Sequence, residues 1–231
     1  MKPYVKLAEA RLPDGTLFSL HKHDGKFYLK NDRLDLMSTA LTFSEQMLAE
    51  KGCTELLADS QTRPKHPRVL IGGLGMGFTL KRTLELIGSP ATVVVAELVP
   101  EIIEWNRTFL VEHNGPLLDD SRTQIFQGDL FDCLAEQQQK HQAYDAILID
   151  IDDAPDMLIT QGNKRLYTPT FFQTLRKALT PQGRLAFWLA EATPSLEKRL
   201  EQAGFQVESF PAKPHAQSKR ARHSIVVGRK R

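Results

Sequence analysis

The sequence predicts an α/β protein: a doubly wound, mostly parallel seven-stranded sheet preceded by a small β region. Three observations carry this. After residue 67, five short apolar runs rich in Val and Ile are separated by stretches with helical spacing, the pattern of a parallel sheet covered on both faces. Two further apolar runs at the end are joined without a helix, which implies an antiparallel pair closing the sheet. Before residue 38 the signals are strands punctuated by Asp-Gly turns.

Taken in order, residues 16–23 and 26–30 flank Asp24-Gly25 as a hairpin, and Asp14-Gly15 offers an earlier turn. Residues 43–58 place Phe43, Met47, Leu48, Leu56 and Leu57 at spacings that suit one or two helical pieces. Two prolines in 63–67 prevent regular structure and mark a linker, dividing a region 1–62 from a domain 63–231. The buried strands are 68–71, 92–96, 123–126, 146–149 and 184–189, alternating with helices 78–87, 100–111, 130–141 and 170–179. A helix over 195–203, a strand over 205–210, a basic loop and a strand over 224–228 complete the chain. A doubly wound sheet with such a final hairpin looks like the methyltransferase variant of the Rossmann architecture.

At 231 residues, 41% hydrophobic and 25% charged, the chain has an ordinary globular composition, which excludes disordered and collagen-like classes. No apolar run approaches the roughly 18–20 residues of a membrane span, and Lys6, Glu9, Arg11 and Asp14 interrupt any signal-peptide core. Cys53 and Cys133 form neither a disulfide framework nor a metal site by themselves, and the seven histidines show no ligand spacing. A reduced, cytoplasmic protein without a metal or a membrane partner is therefore expected. The formal charge of +2 hides an asymmetry: seven basic and no acidic residues fall in 213–231, so residues 1–212 carry a net −5. A basic end of this kind can signal an anionic partner.

The segment Val69-Leu-Ile-Gly-Gly-Leu-Gly-Met-Gly-Phe78 runs from a strand through Gly73, Gly75 and Gly77 into a helix. Glycines there let the backbone turn sharply and approach a ligand. A GxGxG spacing, with Phe78 where a dinucleotide fingerprint has its third glycine, is usual for S-adenosylmethionine enzymes. Glu97, with Leu98 beside it, ends the second strand, where a carboxylate bonds ribose hydroxyls. Gly128-Asp129 follows the third strand, where Asp129 serves either as an acceptor for the adenine amine or as a helix N-cap.

The fourth strand ends in Asp150-Ile-Asp152-Asp153-Ala-Pro-Asp156. Ligands in such folds bind beyond the carboxyl ends of the strands, and mutually repelling carboxylates there favour a cationic partner. Asp150 is the candidate base that takes a proton from an acceptor amine; a helix N-cap with solvated loop acids is the alternative. Absence of an Asn/Asp-Pro-Pro-Tyr motif argues against amino-methylation of nucleic-acid bases. Residues 159–166 read as a polar loop over the site.

Residues 15–210 resemble the spermidine synthase family. The resemblance lies in 69–77, in Val93-Val-Val-Ala-Glu-Leu-Val-Pro100, in Leu118-Asp-Asp-Ser-Arg122, in Gly128-Asp129, in 144–153, in 166–184 and in Phe43-Ser44-Glu45. It implies that Glu97 holds the ribose and Asp129 the adenine of S-adenosylmethionine or its decarboxylated form. It also implies that Asp150 deprotonates the acceptor and Asp153 binds the acceptor's far amine; Asp153 and Tyr167 are further expected to hold the reacting lone pair near Asp150. A small-molecule acceptor and a homodimer are expected on the same ground.

There are departures. Gly75 stands where the family's glycine loop has an Asp that holds the transferred aminopropyl amine. Phe43 replaces a Tyr, no Gln occurs in 31–38, Ala154 replaces a Pro, and Lys219-Arg-Ala-Arg-His223 replaces the acceptor-binding C-terminal segment. Loss of the loop carboxylate favours methyl transfer to an undetermined small acceptor. Aminopropyl transfer to putrescine or a related amine is the alternative. A non-catalytic adenosyl-binding protein and an RNA methyltransferase whose tail grips phosphates are further readings. If the 211–222 loop overhangs the site, its charge counts against a polyamine acceptor.

Overall fold

The computed structural model describes residues 3–12, 14–32, 34–57, 64–151, 155–215 and 217–231. Strands β1 (Val5–Arg11), β2 (Leu17–His23), β3 (Lys26–Asn31) and β4 (Leu34–Ser38) form an antiparallel sheet in that order. His23 pairs with Lys26 across Asp24-Gly25, both of which have positive φ, 49° and 76°. That is the two-residue hairpin geometry for which Asp-Gly is suited.

Two helices follow, α1 (Phe43–Gly52) and α2 (Thr54–Leu57). The remaining elements are β5 (Arg68–Gly72), α3 (Phe78–Leu86), β6 (Thr92–Glu97), α4 (Pro100–Thr108), α5 (Val111–Asn114), β7 (Thr123–Gln127), α6 (Leu130–Gln139) and β8 (Tyr144–Ile149). Then come α7 (Pro169–Ala178), β9 (Leu179–Leu189), α8 (Pro194–Gln202), β10 (Phe205–Ala212) and β11 (His223–Lys230). The large sheet has the order β10-β11-β9-β8-β5-β6-β7. β7, β6, β5, β8 and β9 run parallel, and β11 lies antiparallel between β9 and β10. This is the expected doubly wound sheet closed by a terminal hairpin.

Continuous apolar runs make the central strands β5, β6 and β8 because these are buried on both faces, whereas the edge strands β7 and β10 are partly exposed. Val69, Ile71, Val93, Val95, Ala146 and Leu148 face one core. Leu70, Val94, Ala96, Ile147 and Ile149 face the other, against residues of α6, α7 and α8. The first core also takes in Phe18, Leu20, Phe27 and Leu29 of the small sheet and Leu48 and Ala49 of α1. Thus α1 packs on α3, β8, β9 and β11 and is already a layer of the large sheet. Its backbone comes very close: a Cβ at Gly52 would stand 2.1 Å from Leu148 Cδ2.

Two boundaries differ from the sequence reading. β9 begins at Leu179, not near 184, because Tyr144 pairs with Leu179 before a register shift to Ala146–Arg184. The bulge accommodates Pro181 and Gly183 inside a strand, where sequence rules place a turn. The apolar stretch read as one helix over 100–111 ends at Thr108 and resumes as the short α5. Both cysteines are buried free thiols. Among the described residues no helix is long and apolar enough to cross a membrane.

Candidate active site

The chain leaves β5 towards β6 on one side and leaves β8 towards β9 on the other, so the topological switch point lies between β5 and β8. The backbone is pinned there. Asp150 N donates to Gly72 O at 2.9 Å and Gly73 N to Ala96 O at 2.9 Å. Gly73 has φ +90°, and a Cβ on it would stand 2.2 Å from the Asp150 carbonyl oxygen. Only glycine lets the two strand ends meet this closely. Gly73→Ala is expected to cost roughly 1–3 kcal/mol, read as a lower urea midpoint; an unchanged midpoint contradicts this packing.

An open cleft lies at this point. Its wall on the large-sheet side includes Gly73, Gly75, Glu97, Leu98, Gly128, Asp129 and Asp150. Leu12, Phe18, Leu29, Leu36 and Met37 of the small-sheet region, with Glu45 of α1, face them. The 3-10 segment Gln161–Tyr167, read from sequence as a polar loop, contributes Asn163, Arg165 and Leu166.

Glu97 is 6% exposed. Its Oε2 accepts from Leu74 N at 2.9 Å and its Oε1 from Val99 N at 2.8 Å. Burial pushes its carboxyl above the usual range, against the pull of these backbone donors. It thereby ties the glycine loop to the end of β6 while still lining the cleft. Asp129 caps α6 by accepting from Phe131 N at 2.8 Å, and it also pairs with Arg165, whose guanidinium lies 4.2 Å from the Phe131 ring centroid. Of the two sequence readings of Asp129, the N-cap is the one observed, and the same side chain also lines the cleft. Asp150 Oδ2 accepts from Thr79 Oγ1 at 2.7 Å, which fixes its carboxylate from the first turn of α3.

Not every predicted site residue reaches the cleft. Gly77 starts α3 at φ +83° and packs against Asn106 and Leu117; its role is to turn the chain. Tyr167 is buried, 6% exposed, with its ring 6.3 Å from that of Phe187, in the core shared with α7. At the end of the 3-10 segment it turns inward. Asp152 and Asp153 lie outside the described residues, and Asp156 is exposed.

Several cleft residues were missed. Glu45, 5% exposed, accepts from Ser44 Oγ at 2.6 Å. Burial and the neighbouring Asp150 charge push its carboxyl up to about 7. Trp188, at the carboxyl end of β9, lines the cleft and packs at a tilt against His223, ring centroids 4.9 Å apart; burial lowers the pKa of His223. Met37 rests on the glycine loop: a Cβ at Gly75 would stand 2.7 Å from its Sδ. The sequence signals were present for two of them, the Phe43-Ser44-Glu45 segment and a Trp at a strand's ligand end. Packing of Met37 across the two sheets had none.

The loop between β10 and β11 reaches α1, with Pro214 O accepting from Phe43 N at 3.4 Å. Among the described residues none of 211–222 lines the cleft. Lys213, Lys219, Arg220 and Arg222 are exposed. The charge argument against a polyamine acceptor therefore lapses. Among the described residues no group of three His, Cys, Asp or Glu side chains is placed to hold a metal ion.

Comparison with known proteins adds to this geometry. The family model for the spermine/spermidine synthase domain matches residues 50–204. Polyamine aminopropyltransferase 1 of Streptomyces coelicolor is 33% identical over 153 residues, covering 63% of this chain and 27% of the relative. A polyamine aminopropyltransferase of Sulfolobus acidocaldarius is 29% identical over 160 residues, covering 68% and 49%. The chain thus spans about a quarter to a half of the length of these curated relatives. A spermidine synthase solved in complex with the transition state analogue AdoDATO superposes with a TM-score of 0.75 at 19% identity, covering 98% of this chain and 74% of that one. At that identity the likeness is one of fold.

Proposed function

Because the chain belongs to the spermine/spermidine synthase domain family, we propose that it transfers an aminopropyl group from decarboxylated S-adenosylmethionine to a small amine. The observation that carries this is the convergence of Glu97, Asp129 and Asp150, from the ends of three different strands, on one cleft at the switch point. The donor fits the residues present. Gly73 and Gly75 leave the backbone bare where a Cβ would meet Asp150 O or Met37 Sδ. Glu97 is anchored to accept ribose hydroxyls, and Asp129 faces the base end.

In the reaction, the acceptor nitrogen's lone pair forms a C–N bond to the carbon next to the sulfonium. The C–S bond breaks with its electron pair going to sulfur, giving neutral methylthioadenosine. The proton lost from nitrogen goes to the Asp150 carboxylate, which Thr79 holds in place. Positioning two cationic partners in line supplies most of the remaining acceleration.

Methyl transfer, to which the sequence leans on the ground of Gly75, is the second reading. Met37 against Gly75 supports it, since no carboxylate can stand at that place without moving Met37. The relatives, all polyamine aminopropyltransferases by name, weigh more, and they turn the proposal to aminopropyl transfer. Calorimetric titration with methylthioadenosine, decarboxylated S-adenosylmethionine, S-adenosylmethionine and NAD in parallel tests it. Adenosyl ligands are expected to bind, the decarboxylated one most tightly; binding of NAD alone would overturn the reading.

A further inference from the structure

Among the described residues, four carboxylates line the cleft: Glu45, Glu97, Asp129 and Asp150. Two have evident work in the protein itself. Glu97 is held by two backbone amides, and Asp129 by the α6 amide and Arg165. Asp150 is assigned above to the reacting amine. Glu45 is different, since the reaction as described gives it no task.

Its surroundings make that notable. The side chain is 5% exposed and opens onto the cleft. Its hydrogen bond from Ser44 is local, and among the described residues no Lys, Arg or His is within ion-pair distance of it. Most cations on elements packed around α1 have other partners, Arg229 and Lys230 of β11 being near Glu208 and Leu179 O. Arg82 of α3 pairs with Glu50, and Arg184 of β9 with Glu55. Lys51 of α1 lies over the Phe210 ring of β10, and His223 of β11 packs at a tilt against Trp188. The charged group that acts on Glu45 is Asp150, another carboxylate. A buried carboxylate next to a second one is costly until a cation joins them. The glycine loop, residues 72–77, carries no acidic side chain, and Met37 closes over Gly75.

We infer that Glu45 is the anionic partner of the primary ammonium at the end of the donor's aminopropyl chain, holding it beside Asp150. This rests on the aminopropyl-transfer reading. The donor's ammonium, not the acceptor's distant one, is assigned here because it is three bonds from the reacting carbon. It must therefore lie near Asp150, in the cleft that Glu45 also lines. Glu45 is thus a specificity-determining residue: it recognises a donor tail that ends in an amine without a carboxylate.

The test compares ligands with and without that ammonium. In Glu45→Gln, which keeps an acceptor for Ser44, decarboxylated S-adenosylmethionine is expected to bind roughly tenfold to a hundredfold more weakly. Methylthioadenosine, whose tail is uncharged, is expected to bind as in the wild type. Affinity of the wild type for the decarboxylated donor is expected to fall as the pH drops through about 7, because protonation removes the charge that attracts the ammonium. The Gln variant lacks that dependence, and Glu45→Asp recovers part of the affinity. Equal loss for both ligands would show a structural role and overturn the inference. Unchanged donor binding with a raised KM for the acceptor amine would place the wrong ammonium at Glu45 and overturn it too. In either case the wild type still binds adenosyl ligands, so the functional reading stands; failure of the wild type to bind any of them would sink both.

Discussion

Asp150→Asn is expected to lower kcat for group transfer by roughly 10²–10⁴-fold while leaving the affinity for methylthioadenosine unchanged. The expectation follows from where the carboxylate sits. Asp150 follows β8 at the switch point, its backbone amide is bonded to Gly72 O, and its side chain is fixed by Thr79. Asparagine preserves the shape and an oxygen for Thr79, so the fold and the adenosyl end of the cleft are untouched. What it loses is the capacity to take a proton from the attacking nitrogen and to offset positive charge near the sulfonium. Steady-state kinetics with the decarboxylated donor and a diamine, alongside calorimetry with methylthioadenosine, separates the two. Loss of methylthioadenosine binding would mean that Asp150 is structural; wild-type kcat would mean that another group is the base.

The second large effect is expected at Glu97. Its two oxygens each accept from a backbone amide, Leu74 N and Val99 N, and the side chain is buried at the floor of the cleft. An amide side chain offers one oxygen and an NH₂, so in Glu97→Gln one of those donors faces another donor. Leaving a buried N–H unpaired costs about 1–3 kcal/mol, and the glycine loop it anchors loosens. Loss of a charged acceptor for ribose hydroxyls adds a further roughly tenfold to a hundredfold drop in adenosyl affinity. Urea denaturation and methylthioadenosine titration read the two parts. A variant with wild-type midpoint and affinity would refute the anchoring role.

The sheet was legible in the sequence because its central strands are buried on both faces. Val69–Ile71 and Val93–Ala96 have no polar alternation to confuse, and helical spacing between them leaves few other folds. The small sheet was less legible. β1 is largely exposed, so its residues lack a consistent apolar face, whereas β2 and β3 announce themselves through Asp24-Gly25. In the cleft, residues that come from the ends of β6, β7 and β8 could be read from position alone, since Glu97, Asp129 and Asp150 follow directly from strand ends.

What position alone does not reveal is contact between elements distant in sequence. Met37 on Gly75, and Glu45 in one cleft with Asp150, join residues separated by at least α2 and the whole of β5. Their meeting depends on how the small sheet and α1 settle on the large one, with Gly52 allowing α1 to approach Leu148. Tyr167 shows the converse. A tyrosine in a polar segment near the site reads as a substrate contact, but at the end of the 3-10 segment it is buried in the core beside Phe187. The basic 211–222 loop is similar: its position between two strands suggested a cover over the site, and its charged side chains instead face solvent.

The central claim, aminopropyl transfer at this cleft, is tested most directly by analysing the products of the purified protein incubated with a diamine. Decarboxylated S-adenosylmethionine is offered in one arm and S-adenosylmethionine in the other. The account predicts methylthioadenosine together with an aminopropylated amine in the first arm, and no S-adenosylhomocysteine in the second. S-adenosylhomocysteine with a methylated acceptor in the second arm, and no methylthioadenosine in the first, would contradict it.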